Sequence, residues 1–156
     1  MIESIKLIFS IAVCQAAGII ASIFTRESVG TWYKFINKPS FNPPDWLFGP
    51  VWIILYVLMG ISLYLVWKKG IGFREVQYSL GIFLIQLVTN SLWSFVFFGS
   101  RSIGGGLIVI TILWILILFT ILSFYKISTI SAFILIPYLL WVTYAAILNI
   151  SIWQLN

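Results

Sequence analysis

No histidine occurs in this chain, and cysteine occurs once, as Cys14. A single thiol closes no internal disulfide, and without imidazole no zinc site, histidine-ligated haem or histidine-dependent triad can be built. Charge is nearly as scarce. Nine Lys and Arg with four Asp and Glu amount to 8% of the 156 residues, against about a quarter in a soluble domain. That is too little to coat a water-facing surface, which excludes a soluble enzyme and a disordered tail. The bases lie scattered between apolar runs and form no stripe, so the net charge of +5 reads as loop charge and not as the footprint of a nucleic-acid binder.

What is abundant is apolar surface. The sequence is 62% hydrophobic and 18% aromatic, with a mean hydropathy of +1.10. Apolar runs cover residues 5–24, 46–67, 76–98, 103–125 and 130–153. At about 1.5 Å per residue, each helix would span roughly the 30 Å of a bilayer's hydrocarbon. A strand of a membrane barrel would alternate with polar residues, whereas Leu107 to Leu122 is apolar on every side. The expectation is an all-α fold, a single five-helix domain over residues 1–156, integral to a membrane. Ile11 to Cys14 is faintly similar to a lipoprotein cleavage site. However, Val13 is not small and the run continues to Phe24, so the first helix is read as uncleaved.

The connections at 68–75, 99–102 and 126–129 are short, but residues 25–45 form a long one. It carries Trp32, Tyr33, Phe35, Ile36 and Phe41, with Pro39, Pro43 and Pro44 stiffening its second half, and is predicted to fold as a lid over one mouth of the bundle, the alternative being a segment that lies in the headgroup region through its aromatic residues. Five cations (Lys6, Lys68, Lys69, Arg74, Lys126) fall on the amino-terminal side and four (Arg26, Lys34, Lys38, Arg101) opposite, a narrow margin for a cytoplasmic amino terminus. No acidic residue lies within a predicted span, which disfavours a proton- or sodium-driven pump and a voltage sensor.

The polar residues inside the spans are neutral. Gln86 and Asn90 stand one turn apart on one helical face, with Thr89 and Trp93 adjoining, and have two readings: bonds between helices or ligand contacts. Asn149 has the same two, the interhelical bond favoured. Trp52 and Tyr56 share a face of the second span, and Tyr138, Trp141, Ala145, Leu148 and Asn149 follow one face of the fifth. The two aromatic faces are predicted to wall one slot. Trp46, Trp67 and Trp153 lie at span ends, where an interfacial belt is expected; Gly18, Ser22 and Gly104 to Gly106 allow close helix approach; Pro137 is expected to kink the last span.

Lys38-Pro-Ser-Phe-Asn-Pro-Pro-Asp-Trp46, Phe48-Gly-Pro-Val-Trp-Ile-Ile-Leu-Tyr56 and Met59-Gly60 together resemble the tryptophan-rich sensory protein family, also called translocator protein or peripheral benzodiazepine receptor. Gln86 to Trp93, Phe97 to Arg101, Pro137 to Trp141, Leu148-Asn149 and Trp153 agree with it. The resemblance implies a five-helix bundle, often a homodimer, whose pocket opens towards the first loop and binds porphyrins, above all protoporphyrin IX, and isoquinoline carboxamide or benzodiazepine drugs. It implies pocket roles for Trp52, Asn90, Trp141 and Ala145, and lid roles for Trp32, Pro44 and Trp46. The family's cholesterol motif needs a tyrosine and then a base where this chain has Ile150 and Gln154, a departure that counts against cholesterol as a ligand.

Ligand contacts are accordingly expected from Trp32, Pro44, Trp46, Trp52, Tyr56, Gln86, Asn90, Tyr138, Trp141, Ala145 and Leu148. The porphyrin is expected as ligand or substrate, with no resident cofactor or metal, and membrane lipid and a second copy of the chain are the other expected partners. As the family resemblance suggests, Trp52 and Trp141 would take part in light-driven oxidative breakdown of protoporphyrin, indole being readily oxidised. The alternatives are a passive carrier of tetrapyrroles across the bilayer and a stress-related sensor without turnover.

Overall fold

The computed structural model describes residues 1–156 and is helical throughout. Helix α1 covers Ile2–Val29, α2 Trp32–Phe35, α3 Asp45–Trp67, α4 Arg74–Ser94 with a π-helical turn at Phe95–Gly99, α5 Ile103–Ile127, α6 Thr129–Ile134 and α7 Ile136–Leu155. Five segments are long and apolar enough to cross a membrane, α4 with its π turn forming the third and α6 with α7 the fifth. Helix α1 packs on α3 and α4, α5 on α4 and α7, and α3 on α6 and α7, so the spans close into a ring.

Three boundaries differ from expectation, each for a physical reason. The first helix does not end at Phe24 but runs on to Val29. Hydropathy marks where the bilayer ends, not the helix, and Thr25 Oγ1 bonds back to the Ala21 carbonyl while Ser28 Oγ donates to Phe98 O at 2.8 Å. The first connection is therefore Gly30 to Pro44, shorter than 25–45, and the four-residue α2 lies inside it. The last span is broken at Leu135, two residues before Pro137, which stands in the first turn of α7, where its missing N–H costs no helical bond. Pro50, by contrast, sits inside α3 without interrupting it.

The π turn closing α4 is where geometry serves the interior. Its wider turn lets the neighbouring rings of Phe97 and Phe98 both be buried, in an edge contact at 4.8 Å. It hands over to Arg101, whose positive φ of 54° turns the chain before Ser102 caps α5, its Oγ accepting from Gly105 N at 3.1 Å.

Apolar residues cover the outside: Ile8, Ile53, Val88, Ile108, Phe119 and Leu140 are all exposed. Lipid is as apolar as leucine, so association of these helices rests on close packing and internal polar bonds, not on the hydrophobic effect. The Ser62 and Ser131 hydroxyls each lie 2.8 to 2.9 Å from the other residue's carbonyl, joining α3 to α6, and Ser91 Oγ reaches Ala17 O at 3.0 Å, joining α4 to α1. The tightest backbone approach to a glycine is at Gly60 of α3, where a methyl group would stand 2.5 Å from Ile11 Cα and 2.9 Å from its nitrogen.

Because that obstacle is backbone, Gly60→Ala should force α1 away from α3 and cost about 1–3 kcal/mol. Gly49→Ala, on the same helix with nothing within 4 Å of the added methyl, should be neutral or stabilising by up to about 1 kcal/mol. Unfolding of the two variants in mixed micelles checks the contrast.

Candidate functional site

The interior is organised by a chain of neutral polar side chains. Tyr56 of α3 donates its hydroxyl to Asn90 Oδ1 at 2.7 Å. Asn90 Nδ2 donates to Tyr138 Oη at 2.6 Å, and that hydroxyl donates to Gln86 Oε1 at 2.8 Å. Gln86 Nε2 ends 3.9 Å from the Met59 sulfur. All four polar residues are at most 3% exposed, so every bond is made without water. Helical spacing puts Gln86 and Asn90 on one face of α4, as the sequence indicates, and each amide reaches across to the ring of helices. Of the two readings, the interhelical bonds are the ones formed here. Asn149 behaves alike, accepting from Trp93 Nε1 at 3.2 Å and donating to Ile103 O at 3.0 Å, while Trp114 Nε1 donates to Thr143 Oγ1 at 2.8 Å.

Around this chain lie two separate spaces. The larger is a groove of about 540 Å³ between α1 and α3, at the end of the bundle near the first connection. Gln15, Gly18 and Ser22 wall it from α1, Gly49, Trp52 and Tyr56 from α3, and Arg26 and Asp45 stand towards its mouth. Trp52 and Tyr56 are stacked, ring centroids 5.7 Å apart and 30° between planes. Glycine is needed at position 18 because a methyl there would meet the Tyr56 ring at 2.5 Å. Gln15 Nε2 donates to Ile53 O at 3.0 Å and pins the groove's inner end.

The smaller space, about 20 Å³, lies among Tyr33, Phe48, Trp93, Phe97, Trp141 and Tyr144, with Ala145 and Leu148 completing its wall. It is filled by rings: Phe48 lies 6.2 Å from Trp141, Trp93 5.5 Å from Phe97, and Tyr33 5.5 Å from Phe98. Trp141 Nε1 is buried there with no acceptor, an orphaned donor that costs on the order of 1–3 kcal/mol.

The first connection roofs the smaller space. Tyr33, 1% exposed, donates to Asn42 Oδ1 at 2.7 Å. Burial and the nearby Asp45 carboxylate push its phenol above the ordinary range, only partly offset by Asn42, so it stays protonated. Lys38 Nζ caps the carbonyls of Tyr33 and Ile36 at 2.6 and 3.2 Å and lies 4.8 Å from the Tyr33 ring centroid. Asn37 and Asn156 bond reciprocally, and Tyr144 donates to Phe41 O, tying the connection to α7.

The predicted residues therefore fall into groups. Trp52 and Tyr56 line the groove; Trp141, Ala145 and Leu148 line the smaller space; Gln86, Asn90 and Tyr138 form the polar chain between helices. Trp52 and Trp141 do not share one slot, and Phe48 borders both spaces. Trp32 packs edge-on against Phe97 at 5.7 Å, Pro44 caps α3, and Trp46 is 72% exposed on the outer surface; none of the three lines either space. The sequence does not single out Phe48, Gln15 or Thr25 as site residues, and Gly18 and Ser22 read there as packing positions. Their one signal is a small-residue stripe on α1, which packing also explains.

A profile of the TspO/MBR family matches residues 10–154. The chain belongs to the TspO/MBR family. It is 43% identical to the tryptophan-rich protein TspO of Chlorobaculum tepidum over 99% of this chain and 98% of the other. It is 39% identical to the translocator protein of Homo sapiens over 88% and 82%, and 32% to the tryptophan-rich sensory protein of Cereibacter sphaeroides over 94% and 88%. With its five apolar helices, this TspO/MBR protein is a multi-pass integral membrane protein.

If the polar chain holds α3, α4 and α7 together, Asn90→Leu should strand the Tyr56 hydroxyl, leave Tyr138 only its bond to Gln86, and destabilise the fold by about 1–3 kcal/mol. Thr143→Val, which removes one interhelical bond, from Trp114, and the hydroxyl's local bond to Leu139 O at a half-buried site, should cost less, about 0.6 kcal/mol. Denaturation by sodium dodecyl sulfate in mixed micelles gives both values.

Proposed function

We propose that this TspO/MBR protein binds flat apolar tetrapyrroles of the protoporphyrin IX type in the groove between α1 and α3, and that Trp52 promotes their light-driven oxidation. The observation that carries the reading is the size and walling of the groove. About 540 Å³ bounded by the stacked Trp52–Tyr56 pair falls within the roughly 300–1,000 Å³ of small-molecule sites. The ring-filled inner space, about 20 Å³, holds no macrocycle unless its rings move apart.

The residues present suit that ligand class. Indole and phenol offer apolar, polarisable surface to a conjugated ring system, and Ile19 and Ile53 add apolar walls. Arg26, without an ion-pair partner, stands where a propionate carboxylate at the macrocycle's edge would meet it. Asp45 on the same rim opposes a fully anionic ligand and favours one carboxylate at Arg26 over two. Under illumination, the excited macrocycle would draw an electron from the Trp52 indole and pass it to dioxygen, giving superoxide. The indole radical cation would then take an electron back from the ground-state macrocycle, so that Trp52 is restored and the macrocycle is left oxidised by one electron, open to attack by the superoxide. Passage across the bilayer would need the Gly60–Ile11 contact to open, because α1 and α3 close there.

A second reading concerns smaller ligands. The acceptorless Trp141 Nε1 suits a ligand carbonyl, such as that of an isoquinoline carboxamide, admitted when Phe48 swings aside.

A visible absorption titration with protoporphyrin IX in detergent, first in darkness and then under illumination, tests the assignment. Ser22→Trp, which fills the groove, should weaken dark binding by about tenfold or more, whereas Trp141→Phe should leave it intact. Trp52→Phe should retain dark binding and lose the illuminated decay. Unaltered decay in Trp52→Phe, or loss of dark binding in Trp141→Phe alone, contradicts the proposal.

A further inference from the structure

At the end of the bundle remote from the first connection, three cations from separate places in the chain converge on one cleft. Lys69 follows α3, Arg74 opens α4 and Lys126 lies in the last turn of α5. They border a space of about 530 Å³ with Phe73, Val76 and Ile127 as its apolar walls and Glu75 as its one acid. None of the three is neutralised within the protein. The one ion pair in the structure is Lys6–Glu3 at 3.3 Å, and Lys68, the neighbouring base, lies instead over the Tyr64 ring at 5.4 Å. Three exposed like charges around a cleft against a single carboxylate give it a positive local potential that favours an anion. The amino-terminal dipole of α4 adds to the same positive field.

The surroundings indicate what kind of anion. Phe73 is 67% exposed and Ile71 57% exposed in the connection that carries Lys69 and Arg74, and Ile130 stands 67% exposed just beyond Lys126. A site for a freely dissolved ion has no use for such a rim, whereas a lipid presents a phosphate with acyl chains beside it. We infer that the Lys69–Arg74–Lys126 cleft is a binding site for the phosphoryl headgroup of an anionic phospholipid. The phosphate sits among the three cations, and the glycerol and upper acyl carbons lie against Phe73 and Ile127. This site is independent of the groove between α1 and α3, which opens at the other end of the bundle.

Native mass spectrometry of the full chain released from detergent micelles, with added phosphatidylglycerol or phosphatidylcholine of matched acyl chains, tests the inference. The wild type should retain phosphatidylglycerol preferentially. Each cation near a headgroup contributes roughly a fivefold step, so Lys69→Gln, Arg74→Gln and Lys126→Gln combined should reduce that preference on the order of a hundredfold. Lys34→Gln with Arg101→Gln, at the opposite end, should leave it unchanged. The charge-preserving combination Lys69→Arg, Arg74→Lys and Lys126→Arg should keep it, which separates lost charge from lost fold. Equal retention of the two lipids by the wild type, or undiminished preference in the triple glutamine variant, overturns the site. So does loss of preference in the charge-preserving variant. Inorganic phosphate displacing phosphatidylglycerol at equal concentration would assign the cleft to a free anion and overturn the lipid reading.

Discussion

A phenol and an amide buried in lipid have no water to fall back on, and the bonds from Tyr56 through Asn90 and Tyr138 to Gln86 are the arrangement on which the rest of this structure depends. The four side chains come from α3, α4 and α7, which are distant in sequence, and each bond fixes the rotation of one helix against another. An apolar interior would leave those rotations to packing alone, and packing of similar aliphatic faces specifies register poorly. Once α3 is fixed through Tyr56, the stacked Trp52 one turn earlier is fixed as well, and with it the wall of the groove.

Helix α1 is held differently. It joins the bundle through small residues and backbone bonds: Gly60 against Ile11, Gly18 against the Tyr56 ring, and Ser91 to the Ala17 carbonyl. The backbones meet at Gly60 while nothing stands beside Gly49, and the groove lies at that open end. Smallness at position 18 permits close approach to the Tyr56 ring, and smallness at positions 18 and 22 leaves the groove open, as the proposed ligand site requires. The inner space is the opposite case. The wide turn at Phe95–Gly99 delivers two adjacent rings inward, and Tyr33 from the roof and Phe48 from α3 fill what remains.

Much of this was legible in the residues. Apolar run length gave the five spans, because a bilayer imposes one length on every helix, and the shared face of Gln86 and Asn90 followed from helical spacing. The two possible roles of those amides were also visible, but choosing between them requires knowing which hydroxyls stand opposite, and Tyr56 and Tyr138 come from elsewhere in the chain. Pro137 signalled a discontinuity that the structure places at Leu135. The end of α1 was not legible, since hydropathy falls at the membrane surface while hydrogen bonding carries the helix on to Val29. Nor was the separation of Trp52 from Trp141. Both lie on inward faces, and only the insertion of Phe48, a ring within a recognisable motif but with no distinguishing spacing, divides one expected slot into two spaces.

The polar chain is structural, and on the proposed reading it stays closed while the macrocycle lies outside it, between α1 and α3. A crystal or cryo-electron-microscopy structure of the protein with protoporphyrin IX bound in darkness tests this most directly. The account predicts the macrocycle against Trp52 with the Tyr56–Asn90–Tyr138–Gln86 bonds intact. A macrocycle seated among Trp93, Trp141 and Ala145, with Asn90 or Gln86 turned away from the tyrosines to meet it, would contradict it.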